Sequence, residues 1–222
     1  MANLVTVTES LPVITGGTEY GAKNNTDSFF KDLVNGGGMA FCPGNVNTTK
    51  GGVNFRPVKR RIDTVTALKW RFLRWVDTDN EKNIFTYNYI REAYRASYYN
   101  RATKSYQHPW DRSWGNDSNG ATIRSGHIIT DTDANHQVEF DLTNAFSGVT
   151  LKDFVKLPRF DLAFYHYSAK NNTVYLSQMY LDVTYTYDPD FPYFKSVNIN
   201  PGKTTVGQQV LVSVGFGKNS DL

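Results

Sequence analysis

The sequence predicts an all-β chain folded as an antiparallel sandwich, and three observations carry that expectation. Apolar and polar residues alternate with a period of two in several runs between Ile62 and Tyr187. Aromatic residues are abundant, with 14 Phe, 14 Tyr and 4 Trp beside 17 Gly in 222 residues, a composition suited to pleated, half-buried surfaces. Clusters of Asn, Asp and Gly then punctuate the runs as turns do. Many strands, little helix and turn-rich connections together give a sandwich.

The first fifty residues are rich in turns: Gly16-Gly17, Asn24-Asn25, Gly36-Gly37-Gly38, Pro43-Gly44 and Gly51-Gly52. One short helix is expected there, capped by Thr26 or Asp27, with Phe29, Phe30, Leu33 and Val34 on one side and Asn35-Gly36 as its stop. Leu68, Trp70 and Phe72 then face one way and Lys69 and Arg71 the other, which is a half-buried strand. Asp77 to Asn80 is a turn, and Ile84 to Tyr89 opens the next extended run. The stretch NYIREAYRASYYNRA fits a helical stripe through Ile90, Ala93, Tyr94, Ser97 and Tyr98, and also an alternation through Ile90, Glu92, Tyr94, Ala96 and Tyr98. Its tyrosine content tips the reading toward strand.

Residues 105 to 136 form a long polar segment, of a length that marks either a functional loop or unrecognised short strands. Three further strands follow, through Val138, Phe140 and Leu142, then Phe160, Leu162, Phe164 and His166, then a single face from Tyr175 through Ser177, Met179, Leu181, Val183 and Tyr185 to Tyr187. Asp188-Pro189 and Phe191-Pro192 break the sheet, and alternation resumes at Val197 and Ile199 and at Val210, Val212 and Val214. The expected organisation is a loop-rich N-terminal arm with the one short helix over 1–54, the sandwich over 55–190, and a C-terminal β segment over 191–222 that is too short to bury a core of its own.

Composition narrows the function classes. With 40% hydrophobic and 20% charged residues and a net charge of +3, the chain is neither disordered nor collagenous. No run approaches 18 apolar residues, so no membrane-spanning helix is expected. The N-terminal residues lack the basic and apolar regions of a secretory leader, so none is expected. Cys42, the single cysteine, permits no intrachain disulfide and reads as a buried, inert thiol.

The order HPWDRSW, VEFDLTNAF, FDLAFYHYS and VYLSQMYLDVTYTY, spread over roughly residues 55 to 187, resembles the jelly-roll modules of the galactose-binding-like and DNRLRE type found on phage tail and bacterial surface proteins. Met179-Tyr180 stands where that family's closing motif has a proline. The C-terminal VNINPGKTTVGQQVLVSV is similar to the opening strands of a bacterial immunoglobulin-like repeat. The resemblance implies a jelly-roll fold followed by a short Ig-like strand segment, and a place in a phage or phage-like particle.

No nucleophile elbow, zinc-protease, CxxC or phosphate-loop motif occurs, and none of His108, His127, His136 and His166 sits beside a nucleophile. Glu139, Asp141, Asp161 and Asp182 fall at outward positions of strands, where solvated sheet faces carry charge; an enzyme is not expected. Asp131, Asp133 and Asn135 copy the first three ligands of a calcium loop, but the loop glycine is missing and the twelfth position is Leu142, not Glu. Asp77, Asp79 and Glu81 repeat the partial pattern, and both read as turns without metal; no metal or cofactor is expected. Arg56, Lys59, Arg60, Arg61, Lys69, Arg71 and Arg74 form a basic stretch, yet Trp70 and Phe72 alternate away from Lys69 and Arg71, which argues against a nucleic-acid surface.

The candidate ligand site is Tyr106, His108, Trp110, Arg112 and Trp114, within nine residues of the polar segment. Aromatic planes stack on sugar C–H faces while polar side chains take the hydroxyls; packing of Trp110 and Trp114 over the sandwich end is the competing explanation. The function expected is that of a non-enzymatic virion component of a tail, baseplate or fibre, made without a leader, forming homo-oligomers and contacts with other virion proteins, with host-glycan recognition as a second task. The alternatives are a carbohydrate-binding module of a bacterial surface protein and a capsid-associated or head-decoration protein.

Overall fold

A computed structural model describes residues 3–20, 33–34, 39–42, 48–78, 89–114, 127–129, 136–167, 172–200 and 211–222. Among them are twelve strands: β1 (Val5–Tyr20), β2 (Met39–Cys42), β3 (Thr48–Phe55), β4 (Ile62–Thr78), β5 (Tyr89–Asn100), β6 (Ser105–Arg112), β7 (His127–Ile128), β8 (His136–Asp141), β9 (Arg159–Tyr167), β10 (Asn172–Tyr187), β11 (Pro192–Asn200) and β12 (Leu211–Lys218). One short helix, α1 (Leu151–Phe154), is capped by Thr150, whose hydroxyl accepts from the Asp153 amide. The chain is an antiparallel β-sandwich, as the alternation predicts.

The two sheets share one strand. The first half of β1 pairs with β10 from Val5 to Pro12, and its second half pairs with β3 from Val13 onward. The switch falls at Pro12, which has no N–H to carry the ladder further, and the register breaks between Val13 and Thr15. The first sheet runs β1-β10-β4-β8, with β2 also on β10; the second runs β1-β3-β9-β5-β6, with β7 also on β5. The segment read from sequence as an N-terminal arm thus supplies β1 and β3, which lie inside the sheets. Most of the helix expected around 27–34 lies outside the described residues; Leu33 is buried and Val34 bridges to Val13.

The core sits between the sheets. Trp70 of β4 stacks on Phe160 of β9 with ring centroids 4.2 Å apart, and Tyr94 of β5 meets Trp70 edge-on at 5.5 Å. Phe154 of α1 closes one end against Phe146 and Phe160. Two expectations for β10 and the polar segment need correction. The single face from Tyr175 to Tyr187 is broken: Val174 and Leu176 are buried, and then Met179, Leu181, Val183 and Tyr185. An irregularity between Ser177 and Tyr180, with Gln178 at φ 48°, shifts the alternation by one residue, so Tyr175 and Ser177 fall on the opposite face. The HPWDRSW stretch, expected in a loop, forms most of edge strand β6.

The C-terminal segment is a separate two-stranded sheet, β11-β12. Its end is fastened to the sandwich by Asn219. The Arg61 amide donates to Asn219 Oδ1 at 2.9 Å, and Asn219 Nδ2 donates to the carbonyls of Arg61 and Asp188. The Arg61 guanidinium lies 3.6 Å from the centroid of the Phe191 ring.

Candidate functional site

Alternation along β5 sends Ile90, Tyr94 and Ala96 into the core and Ala93, Arg95, Ser97 and Tyr99 to the outer face of the second sheet. Arg159, Asp161, Ala163 and Tyr165 of β9 lie beside them in register, and Lys50, Gly52 and Asn54 of β3 come next. On the other side β6 shifts register between Ala96 and Tyr98, opposite Pro109, and brings Tyr106 across from Tyr99. These four strands build one outer face.

Strict alternation would place all five candidate residues on one face of β6, and the register shift divides them. Trp110 turns inward and packs on Phe140, Trp70 and Phe160, with ring centroids at 5.2, 6.4 and 6.4 Å. The Arg112 guanidinium lies over Phe140, also on the core side. Tyr106 and His108 stand on the outer face. Trp114 joins them because Ser113 has φ 59°, which redirects the chain beyond β6; its ring then packs against Ala93, Ala163 and Tyr165. Asn116 and Asp117, which flank the cluster in sequence, lie outside the described residues.

At the centre of the face is Asp161, only 4% exposed. Arg95 Nε donates to its Oδ2 at 2.9 Å, Ser97 Oγ donates to the same oxygen at 2.5 Å, and Arg159 Nε donates to Oδ1 at 3.0 Å. With the Ser97 proton directed to Asp161, His108 Nδ1–H donates to Ser97 Oγ at 3.1 Å. Loss of solvation, followed by the Arg95 charge, holds the His108 pKa below its ordinary value, so the ring is neutral at pH 7. The order His–Ser–Asp places serine between the other two, and the buried Ser97 hydroxyl donates to the carboxylate. A nucleophilic triad instead needs histidine in the middle, accepting the serine proton.

Aromatic rings stand at both ends of this polar centre. Tyr99 and Tyr106, 41% and 53% exposed, meet edge-on with centroids 5.2 Å apart, and Arg159 lies 5.6 Å from the Tyr106 centroid. At the other end the Arg95 guanidinium carbon lies over the Trp114 ring, 4.2 Å from its centroid. From Tyr99 to Ala93 the strand rise sets a span of about 20 Å. Sequence reasoning located Tyr106, His108 and Trp114 and missed Arg95, Ser97, Arg159 and the burial of Asp161. The available signal was the outward half of the β5 alternation, Arg91, Arg95 and Ser97, which becomes meaningful only once β9 is known to be its neighbour.

The other sequence candidates disperse. Arg60 pairs with Glu9, Lys69 with Glu139, Arg71 with Asp182, and Arg74 turns inward to Glu92, so the basic stretch does not form one surface. Asp141 is held below the usual carboxylate range by hydrogen bonds from Thr143. Asp131, Asp133, Asn135, Asp79 and Glu81, and the side chains of Asp77 and Cys42, lie outside the described residues. Among the described residues, no three His, Cys, Asp or Glu side chains converge as metal ligands do.

No protein-family model and no curated protein matches the sequence. Among solved structures, the chain is similar to TmCBM61 in complex with β-1,4-galactotriose, at 8% identity over 64% of this chain and 80% of that one, with a TM-score of 0.29. It is similar to the xylan-binding module CBM15 at 8% identity over 82% and 97% of the two chains, with a TM-score of 0.32. It is also similar to the enzymatically active domain of tailspike protein 4 of bacteriophage CBA120, at 9% identity and a TM-score of 0.31, over 81% of this chain and 19% of that one. Carbohydrate-binding modules and a phage tailspike domain are therefore among its structural neighbours, and the assignment of site residues rests on this chain's own geometry.

Proposed function

We propose that this chain is a non-enzymatic β-sandwich module that binds glycan on the outer face of its second sheet. One observation carries the reading: exposed Tyr99 and Tyr106 at one end, and Trp114 just beyond the end of β6 at the other, flank a hydrogen-bonded polar centre held on strands β5 and β9. The exposed Tyr99 and Tyr106 rings supply stacking area for sugar C–H faces at little entropic cost, and the polar centre fixes orientation. The non-enzymatic part rests on chemistry: cleavage of a glycosidic bond by the usual route needs a carboxylic acid kept protonated beside a second carboxylate. Asp161 instead accepts from two guanidiniums, and Glu139 and Asp182 are each paired with a cation.

Affinity electrophoresis through gels holding single polysaccharides tests the reading. The chain should be retarded by at least one polymer, and Tyr99→Ala with Tyr106→Ala should reduce affinity by about tenfold or more, because stacking area is removed. If no polysaccharide retards the folded chain, the glycan reading fails.

A second reading, subunit assembly in a phage-like particle, draws on the β11-β12 hairpin. Phe194 and Phe216 pack as tilted rings with centroids 5.1 Å apart while 66% and 62% exposed, and Val212 and Val214 continue the same exposed apolar face. Such a face on a two-stranded sheet suits burial against a neighbouring subunit.

A further inference from the structure

Resting on the glycan reading, we propose that the ligand of this face is an acidic polysaccharide, a carboxylate-bearing one, and that Arg95 receives the carboxylate. Among the described residues, the outer positions carry Lys50, Arg91, Arg95 and Arg159 against Asp111 and Asp161, an excess of positive charge. Asp161, the one buried acid among them, is engaged inside the face by Arg95, Ser97 and Arg159, so it presents no oxygen to a sugar hydroxyl. What the centre offers a ligand is hydrogen-bond donors.

Arg95 is the best placed of these. Its Nε is used on Asp161, which fixes the plane of the guanidinium, and Trp114 supports that plane from one side at 4.2 Å. The terminal nitrogens of the fork are left for a ligand, and their spacing matches the two oxygens of a carboxylate. A guanidinium placed over the indole ring also takes up surface on which a neutral sugar ring would stack. Neutral rings then have Tyr99 and Tyr106 at the far end, while the middle of the face is specialised for an anion. Asp111, exposed and opposite Arg95 across the strand pair, is the acid that opposes such a ligand.

The test uses the full chain and a panel of polygalacturonate, alginate and hyaluronate, each beside its carboxyl-reduced form, with β-1,4-galactan and xylan as neutral polymers. Retention of one carboxylated polymer that falls by about tenfold on carboxyl reduction, and again in Arg95→Lys, would support the proposal, since lysine keeps the charge and loses the fork. Asp111→Asn should strengthen that binding several-fold and leave binding of neutral polymers unchanged. Thermal melting of Arg95→Lys checks that the sheet remains folded; if it does not, the Asp111→Asn result and the carboxyl-reduction result decide. Equal binding of reduced and native polymers, or binding of galactan or xylan alone, would overturn the acidic-ligand proposal and leave the glycan reading standing. Binding to no polymer of either class would overturn both.

Discussion

A Cβ on Gly52 would lie 2.5 Å from a terminal nitrogen of Arg159 and 2.9 Å from Asp161 Oδ1. The arginine cannot simply swing aside, because its Nε is bonded to the same buried carboxylate. Gly52→Ala should therefore displace Arg159 from Asp161 and destabilise the sandwich by about 1–2 kcal/mol, read as a lower urea midpoint at unchanged slope. His108 supplies a pH signature at the same site. Its folded pKa lies below the ordinary 6.5, so between the two values the unfolded chain binds a proton that the folded one refuses. This contribution is fully present above about pH 6.5 and is lost as pH falls toward the folded pKa. The melting temperature should fall from pH 7 toward pH 5, and His108→Gln should flatten that part of the profile; an unchanged profile would show that His108 does not titrate there. His108 already stood among the candidate ligand residues in the sequence, whereas Gly52 was not legible as special there. Gly52 reads as half of a Gly-Gly turn, and only its placement on β3, beneath side chains from β9, gives it a packing role.

Strands β4 and β5 belong to different sheets and are joined by a buried ion pair. Arg74 and Glu92 face each other across the core, each 2% exposed, and the Tyr94 hydroxyl donates to Glu92 Oε2 at 2.7 Å. Glu92→Gln would leave the Arg74 charge buried beside a neutral amide, at a cost of about 3–5 kcal/mol. The double variant Arg74→Met with Glu92→Leu should recover most of that loss in equilibrium unfolding, because the pair's desolvation cost disappears with its attraction. The strand nature of β5 was correctly weighted in the sequence by its tyrosines, and Glu92 in its apolar stripe was the visible sign that a buried partner was needed. The partner itself was not legible, since Arg74 reads as one more cation in a basic run. The inversion on β10 was hidden for a related reason: the added residue near Gln178 shifts every later side chain, and the later alternation extends backward just as well without it.

At the scale of the whole molecule, the sandwich holds a core of stacked aromatics and the hairpin holds an exposed apolar face, with Asn219 and the Arg61–Phe191 contact joining them. Size exclusion with light scattering should give a discrete oligomer if that face is an assembly surface. Phe194→Asp with Phe216→Asp should then return the chain to a monomer with its melting transition intact. A monomer at all concentrations would leave the assembly reading without support. By itself the sequence determined the all-β class, most strand positions, the alternating core of β4 and β9, and an aromatic, polar cluster around Tyr106 and Trp114. These follow from local patterning, because a strand's two faces are written into every second residue. Tertiary structure alone decided which cations meet which acids, that β1 serves both sheets, and that Trp110 is core while Trp114 lies on the outer face. Those facts depend on register and on which strands become neighbours, and contacts between residues on different strands, distant in sequence, leave no periodicity to read.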